Sequence, residues 1–346
     1  MAWSSPYAYV AGQTVTAANL NTYLSGNLQY LYDNRYGVGR RNAIINSHFD
    51  VWQRGTSFAL SSSTKTYTAD RWAVYRAATG CTVSRQTGPT GQAYAMRVQR
   101  DSGNASTTAI TAYHALESLD SYRFAGQTAY LKLTMKAGAN FSAASSSVTV
   151  KVTYGTGTDQ SPEASWTGTT DALSTSQVIT TTSTSYDFDS ISIPSSATQV
   201  KVSVAFTPVG TASTNDWVEI SAAQLSVNPA PGYERLPYKE TLALCQRYFY
   251  ALPQSGADGA AYSTTGCCLT ATFPVDMRTT PTSSYPAGTY GTNFWAIGNG
   301  SSTTVPTDHF IGVRKVTMAQ DGYTGLTANR GASLYSHPGI SFSAEL

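Results

Sequence analysis

Charge is scarce in this sequence: only 12% of its 346 residues are Asp, Glu, Lys or Arg, about half the usual share for a soluble globular domain. The 22 basic side chains nearly cancel the 20 acidic ones, for a formal net charge of +2. That balance provides no concentrated basic footprint, so nucleic acid is not an expected partner. Cysteine is scarce too. Cys81, Cys245, Cys267 and Cys268 are too few and too scattered for a disulfide framework. The adjacent Cys267 and Cys268 should project to opposite faces of a strand, which favours reduced, buried thiols over a metal pair. His48, His114, His309 and His337 stand apart, and no HExxH or Cys/His ligand spacing occurs; no metal and no cofactor is expected. Nucleophile elbows, phosphate loops and helix-opening GxGxxG patterns are also missing. No run of about 18 apolar residues exists to span a membrane. The start, MAWSSPYAYVAG, lacks the basic and apolar regions of a signal peptide, so the chain is expected to be made without a secretion signal of its own.

What is abundant is Ser and Thr, 41 and 48 residues, together with 28 Gly and 23 Tyr. Such a composition suits many short strands joined by polar turns. With 41% apolar residues the chain can bury a large core, which excludes ordinary disorder. Its length predicts two or three domains.

The first 41 residues differ from the rest. In AANLNTYLSGNLQYLYDN, residues Leu20, Leu24, Leu28 and Leu31 recur at steps of four, four and three, which places them on one stripe of a helix over about 17–33. Thr16 is a suitable N-cap, while Gly26 weakens the helix by about 1 kcal/mol relative to Ala. A lone helix of this length must pack its leucines on something. That cover is either the chain's own domain, or symmetry mates and a docking partner.

From Asn42 onward the pattern has period two. Leu131, Leu133 and Met135 alternate with Tyr130, Lys132, Thr134 and Lys136; Val148, Val150 and Val152 alternate with Thr149, Lys151 and Thr153; Val200, Val202, Val204 and Phe206 repeat it. Further strands are predicted around 72–76, 94–98, 186–193 and 218–225. These are half-buried antiparallel strands, and residues 42–232 are predicted to form a jelly-roll-like β-sandwich. Ile44, Ile45, Phe49, Val51 and Trp52 should supply its first strand. The stretch 155–184, rich in Ser, Thr and Gly, reads as a long loop or weak hairpin. Residues 228–232, Asn-Pro-Ala-Pro-Gly, punctuate the end of this domain. Residues 233–250 should form a connecting helix, with Leu242, Cys245 and Phe249 on one side, Glu240 near its start and Arg247 near its end. Residues 251–346 should form a second, smaller β-domain, a β-sandwich of a size that can hold one core.

Three stretches carry a resemblance. Asn42–Phe58 (NAIINSHFDVWQRGTSF) with Tyr67–Trp72 (YTADRW) resembles the opening of a bacteriophage virion family. Gly232-Tyr233-Glu234-Arg235, leading to Leu244–Phe249 (LCQRYF), is similar to the segment that closes the same module, and Phe273–Thr282 with the terminal Phe342–Leu346 (FSAEL) resembles its C-terminal part. The pattern of Ala11–Asn21 is similar to the start of many phage tail and appendage proteins. The resemblance implies a tail-fibre or other receptor-binding virion protein made in the host cytoplasm. It would be homotrimeric, attached to other virion proteins through residues 1–41, with a carbohydrate-binding-module-like sandwich and distal β-domains meeting a host glycan or protein. The alternative within the same family is a head fibre, capsid decoration or tail connector protein that binds other virion proteins.

The residues themselves add a physical reading. Arg54 and Arg71 can hold carboxylates or carbonyls with bidentate geometry, as a clamp at a strand corner; calcium at Asp50 or Asp70 is the other reading. A depolymerase would need two carboxylates a few ångströms apart across a sugar. Nothing in the sequence gathers Asp187, Asp189 and Glu219 that way, and the chain is not expected to be an enzyme. Sugar or receptor binding is better served by aromatic rings on rigid β-loops. The candidates are Tyr285, Tyr290 and Trp295 in the C-terminal domain and Trp166 in the sandwich, with core packing as the competing role for Trp295.

Overall fold

The computed structural model describes residues 11–28, 42–227, 233–294, 298–323 and 326–346. The N-terminal helix opens at Ala17–Asn19 and continues as a π-helical turn over Leu20–Ser25. Thr16 caps it, its hydroxyl accepting from the Asn19 amide at 3.2 Å. Leu20, Leu24 and Leu28 are 45, 53 and 57% exposed, so this stripe is not covered by the described chain. Leu31 and the Arg40-Arg41 boundary lie outside the described residues, as do the 228–232 linker and Trp295.

Alternation builds the sandwich as two six-stranded antiparallel sheets. The first runs β1 (Ser57–Ala59), β4 (Cys81–Thr87), β5 (Tyr94–Arg100), β12 (Trp217–Ser226), β7 (Thr128–Ala137) and β10 (Thr184–Ser192) from edge to edge. The second runs β2 (Thr66–Tyr67), β3 (Ala73–Arg76), β6 (Ile110–Ala115), β11 (Gln199–Phe206), β8 (Ser147–Gly155) and β9 (Thr170–Val178). The inward residues of both sheets, among them Val150, Val202, Leu133 and Ile220, form one core with Trp72, Phe49 and Met96. Burying a Val, Leu or Ile side chain of this kind contributes about 1.5–3 kcal/mol.

Two stretches of the sandwich differ from the sequence reading. Residues 42–52 form no strand; 45–48 make a turn. Asn46 and Phe49 take φ of +54° and +56°, and the Asn46 side chain replaces ladder partners. Its amide donates to the Val51 and Asp70 carbonyls at 2.8 and 3.0 Å, and its oxygen accepts from the Val51 amide at 3.0 Å. The segment is a hydrogen-bonded plug that delivers Ile44 and Phe49 to the core. Within 155–184, the part Thr170–Val178 is a full strand, paired with β8 through Val150 and Thr175. Its exposure on an edge explains why its sequence lacks the apolar half of the pattern.

The connecting helix spans Tyr238–Gln246, with Glu240 in its first turn and Cys245 buried. It ends before Phe249, which instead enters β13 (Phe249–Ala251). The C-terminal unit has a three-stranded sheet, β13, β22 (Ser341–Ser343) and β16 (Thr282–Ser284). Its seven-stranded sheet runs β18 (Gly298–Ser302), β17 (Tyr290–Phe294), β21 (Gly331–Ser336), β14 (Ala257–Ala261), β15 (Cys267–Thr272), β20 (Lys315–Gln320) and β19 (Thr307–Ile311). A separate core of Leu269, Val316, Met318, Leu334 and Phe342 holds the two together.

All four cysteines are free, and only Cys268 is not buried. Burial pushes the Cys81 and Cys267 thiols from an ordinary 9 up to about 12. A raised acid pKa means that the stability contribution is complete below pH 9 and is lost as pH climbs from 9 to 12. The Cys81 share of that loss amounts to about 2 kcal/mol by pH 10.5. Urea unfolding at pH 8 and at pH 10.5 should therefore show wild type losing more stability than Cys81→Ala by that amount; equal losses would refute the assignment.

Candidate functional site

The motif residues scattered along the sequence converge on one seam between the sandwich and the C-terminal unit. Glu345, from the terminal FSAEL, places its carboxylate between Arg54, at 3.1 Å, and Arg71. Arg71 is buried, donates to the Ala115 carbonyl at 2.7 Å, and lies 3.7 Å from the Tyr248 ring centroid. Arg54 stacks over Phe249 at the same 3.7 Å and sits 3.7 Å from Asp70. Arg247 and the Tyr248 hydroxyl both donate to Glu117 of the sandwich, at 2.7 and 2.9 Å. Arg278 donates to the Ala344 and Glu345 carbonyls and pairs with Asp159 at 3.1 Å. Lys65 and the Tyr67 hydroxyl donate to the Leu346 carbonyl oxygen at 2.6 and 2.9 Å. Burial, with Glu345 nearby, raises the Tyr67 phenol well above the usual range, so the ring enters the seam as a neutral donor. The seam is a charge-matched clasp. Arg54 and Arg71 do hold a carboxylate, supplied from the far end of the chain, but each through a single N–H to one oxygen of Glu345 instead of a bidentate fork. Asp70 is engaged by Gln53 and Arg54 and Asp50 by Arg235; among the described residues no group of three or more His, Cys, Asp or Glu could hold a metal.

The sequence-derived aromatic candidates are not gathered. Trp166 is buried, not displayed: its indole donates to the Ser161 carbonyl at 2.9 Å, Lys201 covers its face at 4.3 Å, and it packs with Ala115 and Leu346. The chain's own terminal leucine thus takes the surface that a sugar would need. Tyr290 is fully buried in the C-terminal core, its hydroxyl on the Pro286 carbonyl at 2.7 Å, because β17 turns that position inward. Tyr285 is half-buried; it packs edge-on against Phe342 and donates to Asp308 at 2.5 Å. Of the three acids, Asp187 and Asp189 line one small hollow beside Lys132, and Glu219 lies apart from them. Asp187 sits opposite Lys132 and Glu219 opposite Lys136, on the two strands flanking β7. At about 3.4 Å per residue and about 4.8 Å per strand, the backbones of Asp187 and Glu219 lie roughly 17 Å apart, and these two carboxylates are paired with Lys132 and Arg97.

A cavity the sequence reading missed lies where the β4–β5 hairpin meets the segment before the connecting helix. An open groove of about 690 Å³ is lined by Asp50, Arg85, Tyr94, Arg235, Pro237 and Tyr238, among others. The hairpin turn positions Arg85 and Tyr94. Its Gly88 has no room for a Cβ, which would meet the Gln92 and Tyr94 carbonyls at 2.8 Å. The Arg85 guanidinium lies 4.3 Å from the Tyr94 ring centroid, a cation–π contact. Across the groove Arg235 bridges Asp50 at 3.2 Å and donates to the Gly91 carbonyl at 3.3 Å. His48, beside this pair, is held neutral to lower pH by burial and by Arg235. The sequence signals were Arg235 within the GYER motif and Asp50 within the 42–58 stretch, the latter read as a calcium candidate; Arg85 and Tyr94 come from a hairpin that no motif marked.

No family model matches the chain, and no curated protein does. Among solved structures, a CBM4 module is similar over 54% of this chain and 99% of its own, at 16% identity and a TM-score of 0.35. The enzymatically active domain of bacteriophage CBA120 tailspike protein 4 is similar over 54% of this chain and 21% of that one, at 10% identity and a TM-score of 0.35. TmCBM61, solved with β-1,4-galactotriose, covers 55% of this chain at 10% identity and a TM-score of 0.33. The β-sandwich itself rests on the strand pairing described above.

Proposed function

We propose that the chain is a structural protein of a bacteriophage appendage, a tail fibre or similar, that attaches through its N-terminus and contacts a host-surface glycan with its β-units. The observation that carries this reading is the exposed leucine stripe of the N-terminal helix. Both β-units close their own cores, yet Leu20, Leu24 and Leu28 stand uncovered on a segment that belongs to neither. A marginal helix with bare leucines gains stability only by association, and three copies of this chain packing their stripes together supply it. On this reading the protein binds glycan without cleaving it. Light scattering of the purified chain at micromolar concentration should give a homotrimer, and Leu24→Asp should give monomer with the sandwich still folded; a wild-type monomer would refute the arrangement. Labelled protein should bind susceptible host cells and release no reducing ends from their polysaccharide. Incorporation into particles with no affinity for cells would support the head-fibre, decoration or connector reading instead.

A further inference from the structure

We propose that the groove between Arg85 and Arg235 binds a carboxylated sugar ring, a uronic or sialic acid of a surface polysaccharide; this rests on the reading that the β-units meet a host glycan. The volume, about 690 Å³, is in the range of small-ligand sites. Two guanidinium groups face it, and their planar forks match a carboxylate. Arg85 is poised for such a ligand: its guanidinium stacks on Tyr94 and makes no hydrogen bond or ion pair with the described residues. Arg235 has a partner in Asp50, whose side chain is 10% exposed, but its own side chain is 45% exposed and keeps N–H donors on the open side. A ligand carboxylate can therefore share Arg235 while Asp50 turns an oxygen to a sugar hydroxyl. The connecting helix starts at Tyr238, on the groove wall, which puts the positive end of its dipole at this edge, offset in part by Glu240 of the same turn. The ring of Tyr238, 57% exposed, offers a face to the C–H side of a pyranose. A neutral sugar would desolvate Arg85 without replacing its water, and a bare phosphate would leave the Tyr238 ring unused.

Calorimetric titration of the full chain tests this, with trigalacturonate and an α2,8-linked sialic acid trimer as probes, each beside its methyl ester. At least one acid should bind, and its ester about tenfold or more weaker, since esterification removes the charge from the bidentate contact. Arg85→Gln and Arg235→Gln should each weaken binding by a similar factor without moving the melting midpoint. Arg85→Lys should restore only part of it, a point charge replacing a planar fork. Equal binding of acid and ester, no binding of either acid at millimolar concentration, unchanged affinity in the arginine variants, or competition by inorganic phosphate alone at the same concentration would each overturn the assignment. Cell labelling separates the two readings. Host cells stained equally by wild type and Arg85→Gln would remove only the acidic-sugar site, whereas acid binding without any cell staining would remove only the appendage function.

Discussion

Replacing Glu345 by alanine should destabilise the protein by about 3–5 kcal/mol, the range for removing one partner of a buried pair. The effect is large because of what is left behind. Arg71 has a side chain only 1% exposed, and without Glu345 its charge keeps only the Ala115 carbonyl and the face of Tyr248. Arg54 would fall back on Asp70, whose own carboxyl burial already holds above the usual carboxylate range. By contrast the Arg314–Asp276 pair, exposed on both sides, should contribute little, and its loss serves as a control. The desolvation argument can be checked directly. Arg71→Met with Glu345→Leu removes both charges together, so it should recover at least half of the stability lost in Glu345→Ala. Denaturant unfolding of the single and double variants reads this. A loss below about 1 kcal/mol in Glu345→Ala, the value of an exposed pair, would refute the buried clasp.

The same cluster shows which parts of the structure are legible in the sequence. The strands of the sandwich are, because inward and outward positions alternate within each strand: Val148, Val150 and Val152 needed only their own neighbours to be read. Residues 42–52 misled that reading, since apolar Ile44, Ile45 and Val51 look like a strand until the Asn46 side chain takes the backbone partners. The clasp was half legible. Arg54 and Arg71 announce a partner, but Glu345 lies 274 residues beyond Arg71, and no local pattern joins them. Trp166 and Tyr290 failed for a related reason. A ring in a Ser/Thr/Gly stretch looks displayed, and only the fold shows Leu346 packed on one and the C-terminal core closed over the other. The groove was illegible because nothing local joins its parts: residue 50 and residues 235–238 lie in separate motifs, and the 85–94 hairpin lies in none.

Asp216→Ala should be comparably damaging, by about 3–5 kcal/mol, but in a different place. Arg100 and Asp216 are both fully buried, 2.9 Å apart. The arginine also donates to the Ser142 hydroxyl at 3.0 Å and to the Asn104 and Gly210 carbonyls at 2.5 and 2.7 Å. Asp216 accepts from the Ser142 amide at 2.9 Å and its hydroxyl at 2.8 Å. One carboxylate therefore fixes three loops, those at 101–106, 138–143 and 207–216, against the end of β5. Alanine leaves a buried guanidinium without its counter-charge and orphans the Ser142 amide. Asparagine retains an acceptor but not the charge, so Asp216→Asn should fall between alanine and wild type; equality with alanine would assign the whole effect to charge. The two sites also predict different unfolding behaviour. Asp216 lies within the sandwich and its loss leaves the clasp between the units intact, so the variant should keep a single cooperative transition, moved to lower temperature. Glu345 joins the two units, so its loss should uncouple them and turn one cooperative transition into two. Calorimetry of both variants distinguishes these outcomes, and a single shared transition in Glu345→Ala would show that Arg247–Glu117 and Arg278–Asp159 suffice to hold the seam.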